Sequence, residues 1–170
     1  FPPYHTYSDW VWIPDVSWSP DGRFLYSVIH GAPAGLEIPE DSTVFDVVAI
    51  AVDGDFQAVL AERTGMWSYP VVSSLDGHEF RVAYLEAVNP LASVASNYRL
   101  VLMDRDGSNR AVIFPPDGEF GVAPQIVAWS PKGMYIALIL DGNLWVVEVS
   151  TGLVQQLTGD GQTSGPSWSH

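Results

Sequence analysis

The sequence predicts an all-β chain assembled from repeated antiparallel units, and three observations carry that prediction. First, a phrase recurs: Val16-Ser17-Trp18-Ser19-Pro20-Asp21-Gly22 returns as Val127-Ala128-Trp129-Ser130-Pro131-Lys132-Gly133. A weaker copy runs Val72-Ser73-Ser74-Leu75-Asp76-Gly77, and the phrase begins again at Pro166-Ser167-Trp168-Ser169. Second, no window sustains helical spacing over three turns; short apolar runs alternate with clusters of Gly, Pro, Asp and Asn instead. Third, 15 Gly and 13 Pro accompany seven Trp, seven Tyr and seven Phe, a composition suited to short strands separated by sharp turns.

The elements follow in order. The first unit is expected to place strands at 15–18, 24–29, 44–52 and 57–61. The second places them at 71–74, 80–86, 98–103 and 110–114, and the third at 126–129, 134–140, 143–149 and 154–158. In the Ser-Pro-Asp-Gly turn, Pro presets φ at the first corner, Ser caps through a backbone bond, and Gly supplies the left-handed residue that closes the hairpin. Asp141-Gly142 is a two-residue hairpin signal between the second and third strands of the third unit. Trp18 and Trp129, ending their first strands, and Trp145 in a third strand are expected to pack between neighbouring sheets.

Anchored at Trp18, Ser73, Trp129 and Trp168, the units start 55, 56 and 39 residues apart. Four strands in about 40 residues is the period of a β-propeller blade. The two longer units carry insertions at 30–43 and 87–97. The chain therefore reads as one partial propeller domain over 1–170, an incomplete ring of three four-stranded meanders plus the first strand of a fourth. Blade 1 spans about 15–61, blade 2 about 71–114, blade 3 about 126–158, and the next blade starts at 166–170.

Trp18-Ser19-Pro20-Asp21-Gly22-Arg23, the hairpin to Leu144-Trp145-Val146-Val147-Glu148-Val149, and Gln155-Gln156-Leu157-Thr158 at the unit end together resemble the TolB-type WD-like β-propeller repeat. The turn Asp104-Arg105-Asp106-Gly107-Ser108-Asn109 is similar to the same family's link between strands three and four. The second unit departs from the pattern, with Ser73 and Leu75 read where Trp and Pro are expected. The resemblance implies closed rings of more blades than this chain supplies, an envelope or extracellular bacterial setting (periplasmic in the TolB-like proteins), and protein partners. Uncovered flanks of the end blades would seek the missing blades or a second copy, so self-association is expected of the segment.

Composition narrows the function classes. Seven Lys and Arg against 20 Asp and Glu give a formal net charge of -13, which argues against nucleic acid and anionic lipid as partners. There is no Cys, so disulfide and thiolate chemistry are excluded. The longest apolar run, 134–140, is far below the ~20 residues a membrane-spanning helix needs. Phe1 stands where a starting Met would, so the chain reads as a segment cut from a longer precursor, with further blades expected downstream of Trp168.

Candidate sites follow from strand parity. Turns joining strands one to two and three to four share one side of the disc; loops joining strands two to three, and one blade to the next, share the other. Long loops gathered on one side of a rigid scaffold are where binding is expected. Tyr7, Trp10 and Trp12 in the N-terminal segment, and Trp67, Tyr69 and Phe120 in the linkers, are the candidate ligand-binding aromatics. Their structural alternative is to fill inter-blade grooves. Asp104 to Asn109 begins like a Ca²⁺ loop but lacks the downstream Glu, so a plain hairpin turn is the better reading. His5, His30, His78 and His170 show no metal-ligand spacing, and no nucleophile elbow or phosphate-binding Gly loop is present. No cofactor is implied. The expected function is a non-enzymatic scaffold binding a protein, peptide or glycan on its long-loop face. The alternative is the gating propeller of a prolyl-oligopeptidase-type serine peptidase whose catalytic domain is absent here.

Overall fold

The computed structural model describes residues 13–31, 42–73, 79–116 and 119–169. They form three four-stranded antiparallel meanders. The first holds β1 (Val16–Trp18), β2 (Phe24–His30), β3 (Phe45–Ala51) and β4 (Gln57–Ala61). The second holds β5 (Val71–Val72), β6 (Arg81–Ala87), β7 (Tyr98–Asp104) and β8 (Ala111–Phe114). The third holds β9 (Ala128–Trp129), β10 (Tyr135–Leu140), β11 (Asn143–Glu148) and β12 (Val154–Gln156). Each sheet runs in sequence order, as blades do.

Two apolar cores lie between the sheets. The first packs Tyr26, Val28, Val47 and Ala49 of sheet one against Phe80, Val82, Tyr84 and Met103 of sheet two. The second packs Leu85, Leu100, Leu102 and Phe114 of sheet two against Ile136, Leu138 and Val147 of sheet three. Strand alternation supplies both faces of sheet two at once: Val82 and Tyr84 look one way, Ala83 and Leu85 the other. Such strands, buried on both faces, read as continuous apolar runs, which is what Val82-Ala83-Tyr84-Leu85 is.

The serine of the recurring phrase nucleates each first turn. Ser19 Oγ accepts the N–H groups of Arg23 and Phe24 at 3.1 and 2.9 Å, and Ser130 Oγ accepts that of Tyr135 at 3.0 Å. Ser73 Oγ accepts the N–H of Arg81 at 3.0 Å in the same way. This corrects the register of the second unit. Ser73 stands where Ser19 and Ser130 stand, and Val72, not Ser73, takes the place of the tryptophan. Pairing agrees: Trp18, Val72 and Trp129 face Leu25, Val82 and Ile136. Leu75 and the rest of that turn lie outside the described residues.

Trp129 packs on the second core and donates its indole N–H to Val71 O at 3.0 Å. Trp168 repeats the bond one sheet further on, to Ala128 O at 2.9 Å. Where Val72 replaces the indole, its backbone N–H donates instead to Ser17 Oγ at 3.0 Å. The expectation for Trp18 is overturned: it is 57% exposed, because no described sheet precedes its own.

The insertion expected at 87–97 is folded. It forms 3-10 turns over Pro90–Ala95, interrupted at Ala92. Ser93 Oγ accepts the Met66 N–H, and Tyr98 Oη both accepts the Trp67 N–H and donates to Ser93 O. The linker after β4 also pairs with β6, through Leu85 N–H to Ser68 O and Ala87 N–H to Thr64 O. These bonds clamp the insertion and the linker onto sheet two. No helix among the described residues is long and apolar enough to cross a membrane.

Candidate functional site

A groove of about 1150 Å³ opens over the β10–β11 hairpin at the mouth of the second core. It lies at the ends of the strands where the loops between strands two and three and the inter-blade linkers gather. Phe114, at the end of β8, and Trp145, in β11, stand 6.1 Å apart at one end, with Leu140 and Val154 beside them. Residues 115–116, 119–121 and 123–126 form one wall and 164–166 another. Pro115, Pro116, Pro124 and Pro166 stiffen those walls by fixing φ and removing donors. Glu119 and Asp141 stand at the rim.

Two contacts hold the linker to its sheets. Val122 bridges to Tyr98, donating to and accepting from its backbone at 2.7 and 2.8 Å. Gly121 makes that approach feasible, since a Cβ there would collide with the backbone of Tyr98. Gln125 then imitates a strand with its side chain: Oε1 accepts the Ile139 N–H at 2.6 Å, and Nε2 donates to Ile139 O at 2.7 Å. β9 is only two residues long, so the amide extends its pairing along β10. Trp145 Nε1 is buried in the groove wall with no hydrogen-bond partner among the described residues.

The six aromatics singled out in the sequence do not form one site. Phe120 lines the groove and is 87% exposed. Trp67 is half-buried and packs against both apolar cores, the structural alternative named for it. Tyr69, at a positive φ of 41°, stacks on Trp67 with centroids 6.1 Å apart, and burial raises its hydroxyl pKa, with Asp15 adding to the rise. Tyr7, Trp10 and Trp12 lie outside the described residues, as do His5, His78 and His170. Sequence reasoning missed Phe114, Gln125 and the groove-lining role of Trp145. The run of prolines flanking Phe120 was the available signal for a rigid wall; Gln125 offers none.

The Asp104–Asn109 segment is a hairpin turn. Asp104 Oδ2 accepts the Asn109 side-chain amide at 2.6 Å, and Asp106 Oδ1 accepts the Ser108 hydroxyl and N–H at 2.6 and 3.0 Å. Those bonds hold the Asp106 carboxyl below the usual carboxylate range. Among the described residues no three His, Asp or Glu side chains come together as a metal ion would require.

Comparison with known proteins agrees with this architecture. Residues 93–167 match the model of the Dipeptidyl peptidase IV (DPP IV) N-terminal region. No curated protein matches the chain. Among solved structures, the nidogen/laminin complex superposes with a TM-score of 0.57 at 13% identity, covering 86% of this chain and 48% of that one. Oligogalacturonate lyase in complex with manganese gives 0.57 at 15% identity, over 91% of this chain and 43% of that one. The putative TolB from Agrobacterium tumefaciens gives 0.51 at 16% identity, over 85% and 49%. The chain thus spans about half the length of the structures it matches. In fold it is a partial β-propeller like TolB.

Proposed function

We propose that this chain is a non-enzymatic propeller scaffold that docks a protein or peptide segment on its long-loop face. The observation that carries the reading is the groove beside the second core, with an aromatic pair at one end, exposed Phe120 at its wall and two acids at its rim. Val88, Leu91 and Val94 of the clamped insertion are also exposed, at 51, 52 and 68%, and extend the apolar surface on this side. Exposed apolar surface of this kind, rimmed by polar groups, favours protein partners over sugars. The net charge of -13 favours a basic segment and a salt-dependent on-rate. It disfavours polyanions such as the oligogalacturonate named with one of the similar structures.

An envelope or extracellular bacterial setting is part of this proposal, with the TolB-like fold as its support. The half-buried Ile139, Leu144 and Val146 on the far face of sheet three, whose counterparts Val28, Val47 and Ala49 are buried, support further blades or a second copy there. The match to the DPP IV N-terminal region favours a second reading, a gating propeller whose catalytic domain lies elsewhere in the parent protein. A Gly-x-Ser-x-Gly elbow in the parent gene would select it.

Selection from a phage-displayed peptide library tests the leading reading. Enriched peptides should pair an apolar anchor with Lys or Arg, bind more weakly as salt rises, and lose binding to Phe120→Ala. Enrichment indifferent to Phe120 would remove the groove from the account.

A further inference from the structure

A second, smaller pit opens on the opposite face, between the first two sheets, with a volume of about 390 Å³. Phe24, Phe56 and Leu60 give it an apolar floor, and its rim joins two turns far apart in sequence: Asp21 and Arg23 after β1, Arg105 and Asp106 after β7. We propose that this pit binds a small zwitterion with an aromatic or branched apolar side chain, such as an amino acid or the end of a short peptide. The Arg23 and Arg105 guanidiniums take its carboxylate, Asp106 its ammonium group, and Phe56 its side chain. The site is separate from the long-loop groove and does not depend on what that groove binds.

The supply of charge makes the arrangement informative. The chain has only seven Lys and Arg. Ion pairs among the described residues hold Arg81 to Asp104 and Arg110 to Glu86, while Arg23 and Arg105 make none. Each neighbouring acid engages its Oδ1 within its own turn and not an arginine side chain. Asp21 Oδ1 accepts the Ser19 hydroxyl and the Arg23 N–H at 2.6 and 3.1 Å, and Asp106 is held by Ser108. Both guanidiniums therefore stay available for the planar, two-point contact that a carboxylate offers. A simple anion would also meet two carboxylates, and a simple amine two guanidiniums. A ligand carrying both charges meets neither repulsion.

The pit is preorganised. The hydroxyl of Tyr26, a residue only 2% exposed, donates to Arg105 O at 3.1 Å and ties the turn of sheet two to a strand of sheet one. Burial pushes that hydroxyl up to about 12, with Arg105 opposing and Asp21 and Asp106 adding to the rise, so it remains a donor at neutral pH. Phe56, at 57% exposure, offers an apolar face that a ligand would desolvate. A volume of about 390 Å³ falls in the range of small-molecule sites.

Calorimetric titration of the whole chain with L-phenylalanine, phenylacetate and phenethylamine tests the assignment. L-phenylalanine is expected to bind roughly tenfold or more tighter than either single-charge probe. Arg105→Ala should weaken it by a similar factor without moving the unfolding midpoint, because Tyr26 bonds the backbone of residue 105 and not its side chain. Phenylacetate binding as tightly as L-phenylalanine would overturn the zwitterion, and no heat from any probe would overturn the site. Loss of L-phenylalanine binding in Phe120→Ala would place the ligand in the opposite groove and likewise overturn it.

Discussion

The seam between sheets one and two and the seam between sheets two and three both bury apolar faces, yet they are fastened differently. At the second seam the indole N–H of Trp129 reaches back to the main chain of Val71. At the first, Val72 has no such side chain, and its backbone N–H reaches back to the hydroxyl of Ser17. Ser17 and Val71 occupy the same place in their strands. What repeats is the position of the bond; donor and acceptor exchange between side chain and main chain. Trp18 shows the converse, a residue of the right type with no sheet described on its seam-facing side and 57% of its surface exposed.

The sharpest way to break this comparison is to truncate both tryptophans. Trp129→Ala should cost about 3 kcal/mol, since it removes a packed ring and an indole bond, whereas Trp18→Ala should stay within about 1 kcal/mol. Equal shifts in urea midpoint would show that the two environments do not differ. Next in size, Ser17→Ala strands the Val72 N–H and should cost about 1–2 kcal/mol. Hydrogen exchange at Val72 should then quicken while the amides of β9 stay protected.

Alkali should strain both seams, since burial also raises the Tyr98 hydroxyl of the second core, and the first seam carries two such groups. Tyr26 and Tyr84 both belong to the first core. Burial raises the hydroxyl of each, to about 12 in Tyr26; in Tyr84 Glu86 adds to the rise and Arg110 opposes it. A raised folded value means that the protonated form is the one folding favours. That stability is intact below the ordinary value of 10.0 and is lost as pH climbs towards 12. Tyrosinate absorbance followed with circular dichroism should show the loss, and Tyr26→Phe should lessen it at a neutral-pH cost of about 1 kcal/mol. The smallest effect belongs to Glu86→Gln, which breaks a partly exposed ion pair to Arg110 at 2.6 Å. It should cost about 0.5 kcal/mol or less and vanish in high salt.

Strand order and the division into meanders were legible because period-two runs and Ser-Pro-x-Gly turns are local signals. The second unit misled by one residue because its phrase lacks both Trp and Pro, leaving two adjacent serines to compete for the capping role that Ser73 fills. The folded character of 87–97 was not legible, since its order comes from Ser93 and Tyr98 bonding a linker some 30 residues away, as the Met66 and Trp67 contacts show. Phe120 could be picked out as a linker aromatic. Its partners Phe114 and Trp145 could not, because only the packing of two sheets brings them to one groove. The arginine pit was invisible for the same reason: 82 positions separate Arg23 from Arg105.

Gln125 sets how this molecule can adapt. Because one flexible amide, and not a run of main chain, joins the linker to Ile139, that end of the groove wall can be moved by altering a single side chain while Val122 stays bridged to Tyr98 and the β10–β11 ladder keeps all its own rungs. The shape of the groove can therefore drift through linker changes that leave the propeller frame untouched.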